Sequence, residues 1–289
     1  MVLKGMTLSN RRVLRASIQI VAHSVLILGS VLFLFPFFWM VSASFKTSTE
    51  LLGSAQSLLP SRITWESYDI AFNSTMPLLR NLYNSLFVSI NYTVLAVFLC
   101  SLAGFAFAKF NFPGKRFLFA LMLGTIMVPG VVNIVPSFIV MKTLGWVNTY
   151  WSLIIPGAAN AFGIFFFRQY IKSAVPDELL DAARMDGCTD FGIYWRIVVP
   201  VISPALVTMA IMDFMGTWND YQWPLIMLRS PDMYTVIVAI ASFPAPRFRQ
   251  PWGAIMAGST VSVLPPIVLF LLFQKRIISD ITIGSVKGA

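Results

Sequence analysis

The sequence predicts an all-α membrane protein, a six-transmembrane-helix bundle with an ordered cytoplasmic loop between spans four and five. Two observations carry this expectation. Of 289 residues, 57% are hydrophobic and 11% charged, against about 25% charged in an ordinary soluble domain. A mean hydropathy of +0.76 leaves too little polar surface to cover a soluble core. Charge is also absent over long runs: Ala16 to Phe45, Asn81 to Ala108, Phe117 to Met141, Thr143 to Phe167 and Gln250 to Gln274. Each exceeds the roughly 20 residues that cross a bilayer as helix, and all are too long for tilted barrel strands. A sixth run, Val199 to Leu228, is interrupted by Asp213 and Asp220 but is otherwise apolar.

In chain order the expected spans are 18–44, 82–108, 117–141, 149–167, 200–226 and 253–274. The first sits where a secretory signal would, yet it is long and lacks an A-x-A site before Lys46, so it is expected to be retained. The loop from Lys46 to Arg80 holds Trp65, Glu66, Tyr68 and Asp69, enough for a small ordered surface segment. Span three contains Pro129, Gly130, Asn133 and Pro136. These should kink the helix and free backbone groups, which in lipid must face protein or a water-filled path. Asn133 is therefore a pathway candidate, beside the plainer reading of a packing kink. Asn160 in span four reads as interhelical packing glue.

Span five contains Asp213, and a carboxylate buried in a span is either functional or tied to a neighbouring helix by a hydrogen bond. Trp218, Asn219, Asp220 and Gln222 cluster toward the outer end, as headgroup anchors or as ligand contacts. The stretch from Met233 to Pro246 is too short to span and is expected at the interface or packed on the bundle.

With the N-terminus inside, 14 of the 21 Lys and Arg residues lie on the inner side, among them Lys109, Lys115, Arg116, Arg168 and Lys172, and seven on the other. The positive-inside rule then places both termini, including the tail 275–289, in the cytoplasm. The net charge of +9 is thus topological, and no nucleic-acid partner is expected. Cys100 and Cys188 form no readable disulfide or zinc pattern, and His23 is the single histidine. No metal site and no catalytic residue is expected. No G-x-x-x-x-G-K-[ST] phosphate loop occurs; Gly114 and Lys115 lack its other members.

The inner loop, 176–199, leads on as DELLDAARMDGCTDFGIYWRIVVPVISPAL from Asp177. Pro176 followed by Asp177 and Glu178 signals a helix start, and Gly187 its end. A second short segment, Asp190 to Val198, leads to Pro200 and Pro204. Two short helices joined by a glycine turn make a rigid knob that suits a partner's groove.

These residues resemble a known family. The pattern E-A-A, three residues, G, nine residues, I-x-L-P marks membrane subunits of ABC importers, and Asp181, Ala182, Ala183, Gly187, Ile197, Val199 and Pro200 stand at those spacings. Asp181 replaces the glutamate and Val199 the leucine. KTSTELL from Lys46, ITWESYDIAF from Ile63, WNDYQWPLI from Trp218 and IGSVKG from Ile283 resemble the carbohydrate-importing branch, specifically its maltose-type permease without a large outer domain.

The resemblance implies a permease in a bacterial or archaeal cytoplasmic membrane, paired with a second permease in a heterodimer. It also implies two cytoplasmic ATPase subunits that use ATP and Mg, an extracytoplasmic solute-binding protein that delivers a sugar, and no cofactor on this chain. Asp181, Ala182, Ala183, Gly187, Ile197 and Pro200 would couple to the ATPase. Asn133, Asp213, Trp218, Asn219 and Asp220 are candidate pathway or sugar contacts. Pro244, Arg247 and Arg249, in the outer loop SFPAPRFRQ, are candidate contacts for the binding protein, and the tail would touch the ATPase pair. The rival is an ion-coupled secondary transporter protonated at Asp213. Such carriers often carry paired repeats, and none is readable here.

Overall fold

The computed structural model describes residues 8–53, 57–73, 77–244 and 251–274, and all their regular elements are helical. The chain divides into two compact units, Met1–Ala71 with Ala245–Thr260, and Phe72–Pro244 with Val261–Ala289.

In the first unit, α1 (Leu8–Ser44) contains Pro36. Its apolar side chains from Ile18 to Phe38 stand almost wholly exposed, as suits a helix solvated by lipid or by another chain. Order begins where α1 ends. Lys46 is buried, its ammonium 4.5 Å from the Trp39 ring centroid and donating to the Ser57 carbonyl, so a cation–π contact and a hydrogen bond replace its water. Short α2 (Ser48–Leu52) is capped by Thr47, which accepts from the Glu50 amide. The first residues of α3 (Glu66–Asn73) stack Tyr68 against Phe45 and Trp65, with centroids 5.3 and 5.4 Å away. This is the ordered segment the aromatic residues after Lys46 suggested. The start of α15 (Trp252–Ser262) lies against α3, Gly253 facing Ser67.

The second unit is built on α4 (Leu78–Lys109), an unbroken helix of 32 residues. Against it pack α8 (Ala161–Ala174) and α12 (Ser203–Trp218). Gly104 makes the α4–α8 approach possible: a Cβ there would fall 2.7 Å from Phe167 Cβ and 2.9 Å from the Arg168 amide nitrogen, so the helices cross with backbones in contact. The buried cluster around this crossing contains Cys100, Phe105, Ile164, Phe167, Ile171, Ile193, Tyr194 and Met209.

At the other end of α4, Asn81 donates to the carbonyls of Pro231 and Tyr234, and Asn84 to those of Asp232 and Tyr234. The Ser85 hydroxyl accepts from the Val236 amide at 2.7 Å. These bonds hold α14 (Val236–Ala241) on α4, so the middle of the Met233–Pro246 stretch is a short packed helix. Asn148, at φ +61, accepts from the amides of Arg229 and Ser230 and donates to the Ser230 hydroxyl.

Three predicted spans appear as single helices long and apolar enough to cross a membrane: Ser17–Ser44, Leu78–Lys109 and Trp252–Gln274. The third predicted span is α5 (Lys115–Ile126) followed, after a short turn at Gly130–Asn133, by α6 (Ile134–Thr143), bent by 97°. The break falls at the Pro129–Gly130 step that the sequence marked. The fifth also bends, by 81° between Asp190–Val201 and Ser203–Trp218, at the pair Pro200 and Pro204. It stops at Asn219, before α13 (Gln222–Met227).

The expected continuous span 149–167 is not formed. It is α7 (Trp151–Ile154), a turn with Gly157 at φ +82, and then α8, whose start Asn160 caps by accepting from the Gly163 amide at 2.7 Å. Asn160 is thus a helix cap in this chain. Pro156 and Gly157 end the first helix, since neither continues one readily.

Candidate functional site

The sequence pattern from Asp177 to Pro200 folds as a knob fixed to the end of α4. The helix α9 (Asp177–Met185) starts after Pro176, with Asp177 and Glu178 in its first turn. Lys109, the last residue of α4, donates to Asp177 Oδ1 at 2.6 Å and to the Val175 carbonyl at 2.5 Å. The hydrogen bond and charge of Lys109 hold the Asp177 carboxyl below its usual range.

At the other end of α9 the Gly187 amide donates to the Arg184 carbonyl and the Cys188 amide to the Ala183 carbonyl, both at 3.0 Å. This is a Schellman closure, and it needs the positive φ of +81 that Gly187 adopts. Thr189 then caps α10 (Asp190–Ile193), accepting from the Gly192 amide. The chain continues through a widened turn, Tyr194–Val198, into α11 (Val199–Val201). Tyr194 is buried, its hydroxyl 2.8 Å from that of Ser101 on α4.

Leu180 and Ala183 are buried against Phe167, Ile171, Val175 and Ile193. Leu179, Ala182 and Met185 are exposed. Met185, at 88% exposure, touches little of this chain. Arg184 lies 3.1 Å from Asp181 and 3.6 Å from Asp190, so Asp181 already has a basic partner within its own helix. A Cβ at Gly187 would meet nothing within 4 Å. Of the remaining motif residues, Ile197 is half-buried and Pro200 exposed.

A separate cavity of about 260 Å³ is lined by Tyr92 of α4, Leu153 of α7, Pro156, and Met212, Asp213, Gly216, Thr217, Asp220 and Trp223. It unites two expected residues, Asp213 and Asp220, and no cation lines it. Asp213 Oδ2 is buried without a hydrogen-bond partner. Asp220 Oδ1 accepts from the Trp223 amide at 3.3 Å, the Trp223 indole donates to the Ser152 carbonyl at 2.9 Å, and the Tyr92 hydroxyl donates to the Gly157 carbonyl at 3.1 Å. Such a lining offers carboxylate acceptors, a hydroxyl and an aromatic ring to a polar neutral molecule.

The other expected contacts are elsewhere. Trp218 is 1% exposed, its ring stacked on Phe214 and its indole nitrogen donating to the Ser262 carbonyl. In this chain it packs in the interior and lines no part of the cavity. Asn219 is exposed and bonded to the Met215 carbonyl, and Asn133 is exposed on the turn between α5 and α6. Neither lines the cavity. Pro244 is exposed; Arg247, Arg249 and the tail 275–289 lie outside the described residues. Among the described residues no three His, Cys, Asp or Glu side chains gather as a metal site. Tyr92 and Trp223, absent from the expectation, belong to the cavity. Trp223 stands inside the WNDYQWPLI segment, whereas nothing in the local sequence of Tyr92 sets it apart from packing aromatics.

The model of the family described as "Binding-protein-dependent transport system inner membrane component" matches residues 96–283, which include the knob and the cavity-lining helix α12. The chain is 38% identical over 261 residues to the arabinooligosaccharides transport system permease protein AraQ of Bacillus subtilis, covering 90% of this chain and 92% of the relative. It is 36% identical over 259 residues to the trehalose transport system permease protein SugB of Mycobacterium tuberculosis, covering 88% and 93%. Identity to the lactose transport system permease protein LacG of Rhizobium radiobacter is 33% over 273 residues, covering 93% and 96%. In fold it is similar, with a TM-score of 0.78 at 22% identity and coverage of 93% and 98%, to a chain of a bacterial ABC transporter involved in the import of the acidic polysaccharide alginate. A knob of that motif on an all-helical apolar scaffold, and relatives aligned over nearly the whole chain, place this protein in the family of binding-protein-dependent transport system inner membrane components.

Proposed function

We propose that this chain forms half of the translocation pathway of an ATP-driven importer for a sugar or oligosaccharide. A second permease completes the pathway, two cytoplasmic ATPase subunits supply ATP and Mg chemistry, and an extracytoplasmic binding protein delivers the sugar. The observation that carries the reading is the knob: a short helix closed at both ends, anchored by Lys109 and Tyr194, with Leu179, Ala182 and Met185 turned away from its own core. A rigid contact of this kind transmits closure of a partner as a rigid-body movement. The relatives' names support a carbohydrate cargo, and a cavity with two carboxylates, Tyr92 and Trp223 suits hydroxyl-rich molecules. Six crossings with both termini inside, and docking of the binding protein at Pro244, Arg247 and Arg249, complete the reading.

The test is Gly187→Asp in the assembled transporter. Because a Cβ at this position meets no atom of the chain and Asp tolerates positive φ better than most residues, the chain itself should fold and insert. Copurification of the ATPase and ATP-driven uptake should both be lost. Full uptake with the ATPase still bound would sink the coupling assignment.

A further inference from the structure

The basic residues at the α5 and α8 ends form a group that neither the knob nor the cavity uses. Lys115 begins α5, and its ammonium donates to the Phe110 carbonyl at 2.6 Å; Arg168 of α8 donates from Nε to the Phe107 carbonyl at 3.3 Å. Both cations therefore sit on the last turn of α4, where helix carbonyls favour positive charge. Lys115 is close enough to Arg168 and Lys172 to feel both like charges. Arg116 follows Lys115, and Arg116 and Lys172 are exposed.

Carboxylates do not neutralise this group. Asp177 is taken by Lys109, and Asp181 and Asp190 by Arg184. Among the described residues none of the four cations has a carboxylate within ion-pair distance. The neighbouring surface is apolar: Phe117 is 70% exposed, with Leu118, Phe162 and Phe165 also exposed on the same two helices. The Phe119 ring lies against Phe165, with centroids 6.4 Å apart, and beneath the Arg168 guanidinium at 4.2 Å. Charge thus gives way to exposed aromatic surface within one or two turns, as it does where headgroups meet acyl chains.

We propose that Lys115, Arg116, Arg168 and Lys172 bind the phosphodiester headgroup of an anionic phospholipid, whose acyl chains cover the phenyl surface of α5 and α8. Phosphate is the acceptor that several unneutralised cations recognise. A lipid rather than a free phosphate is selected because the cations border a surface that needs a hydrocarbon cover.

The test is native mass spectrometry of the full chain with its copurifying subunits, taken from nanodiscs containing equal phosphatidylglycerol and phosphatidylcholine. Wild type should retain phosphatidylglycerol preferentially. Each basic residue near an anionic surface contributes about fivefold, so the triple variant Lys115→Gln, Arg116→Gln, Lys172→Gln should lower retention at least tenfold. It leaves Arg168 packed on Phe119. Should the triple variant fail to assemble, Lys172→Gln alone, an exposed change, should lower retention about fivefold. Equal retention of the two lipids by wild type, or undiminished retention by the assembled variant, overturns the proposal. Displacement of the bound lipid by millimolar inorganic phosphate would also overturn it, by assigning the site to a free anion.

Discussion

The two carboxylates of the cavity differ in what the fold has already given them. Asp220 receives the Trp223 amide, whereas Asp213 keeps one oxygen buried and unpartnered. An unmade bond to a charged group costs about 1–3 kcal/mol or more, so a ligand hydroxyl that donates to Asp213 gains what the empty cavity forgoes. Asp213→Asn should weaken half-saturation for sugar uptake about tenfold or more while uptake stays ATP-dependent. Transport assays in proteoliposomes with and without a proton gradient check both parts. Asp177 gives a second residue-scale expectation. Its folded carboxyl is held low by Lys109, so its contribution to anchoring is complete above the ordinary carboxylate pKa of about 3.9 and fades only as pH falls through the lowered value. Amide exchange across residues 177–185, corrected for intrinsic rates, should show unchanged protection from pH 8 to about pH 5. Asp177→Asn should lose that protection at neutral pH.

Elements were legible in the sequence to the extent that charge marks them. The runs bounded by charge at 45–46 and 108–109 are helices α1 and α4, and the bends at Pro129–Gly130 and at Pro200–Pro204 fall where proline and glycine announced them. The break at Pro156–Gly157 escaped because the run from Thr143 to Phe167 carries no charge, and hydropathy does not register a turn made of apolar residues. Its signal was present in Asn160, a capping side chain three residues before Gly163. The knob's two short helices and glycine turn were readable, since caps, glycine and motif spacing are local, whereas its anchors Lys109 and Tyr194 and the Asp181–Arg184 pair come from tertiary packing and side-chain geometry. The cavity was not, because Tyr92, Leu153 and Asp213 meet only through tertiary packing of α4, α7 and α12. That packing yields a prediction. Gly104→Ala places a methyl 2.7–2.9 Å from Phe167 and the Arg168 backbone, where no flexible side-chain end can yield. It should destabilise the α4–α8 pair by about 1–3 kcal/mol, seen as a lower thermal unfolding midpoint in detergent.

For the whole molecule, the six crossings we propose require both ends on one face, and a reporter enzyme active only in the cytoplasm should then be active when fused after Ala289. Silence of that reporter, with activity from a second reporter that works only outside the cytoplasm, would refute the orientation. Within the second unit, most elements are short or bent, and α4 is the exception: it contains no proline and runs unbroken for 32 residues, about 48 Å at 1.5 Å per residue. Lys109 grips the knob at one end, while Asn81 and Asn84 grip the 231–234 loop at the other. Tyr92 lies about midway and lines the cavity together with Asp213 of α12 and Asp220 just beyond that helix. The helix is therefore a strut with a fixture at each end and one wall of the cavity in its middle. Under the proposed coupling, a push received at the knob would reach that wall as a tilt of the strut, so the cavity could change width without any bond inside it being the trigger.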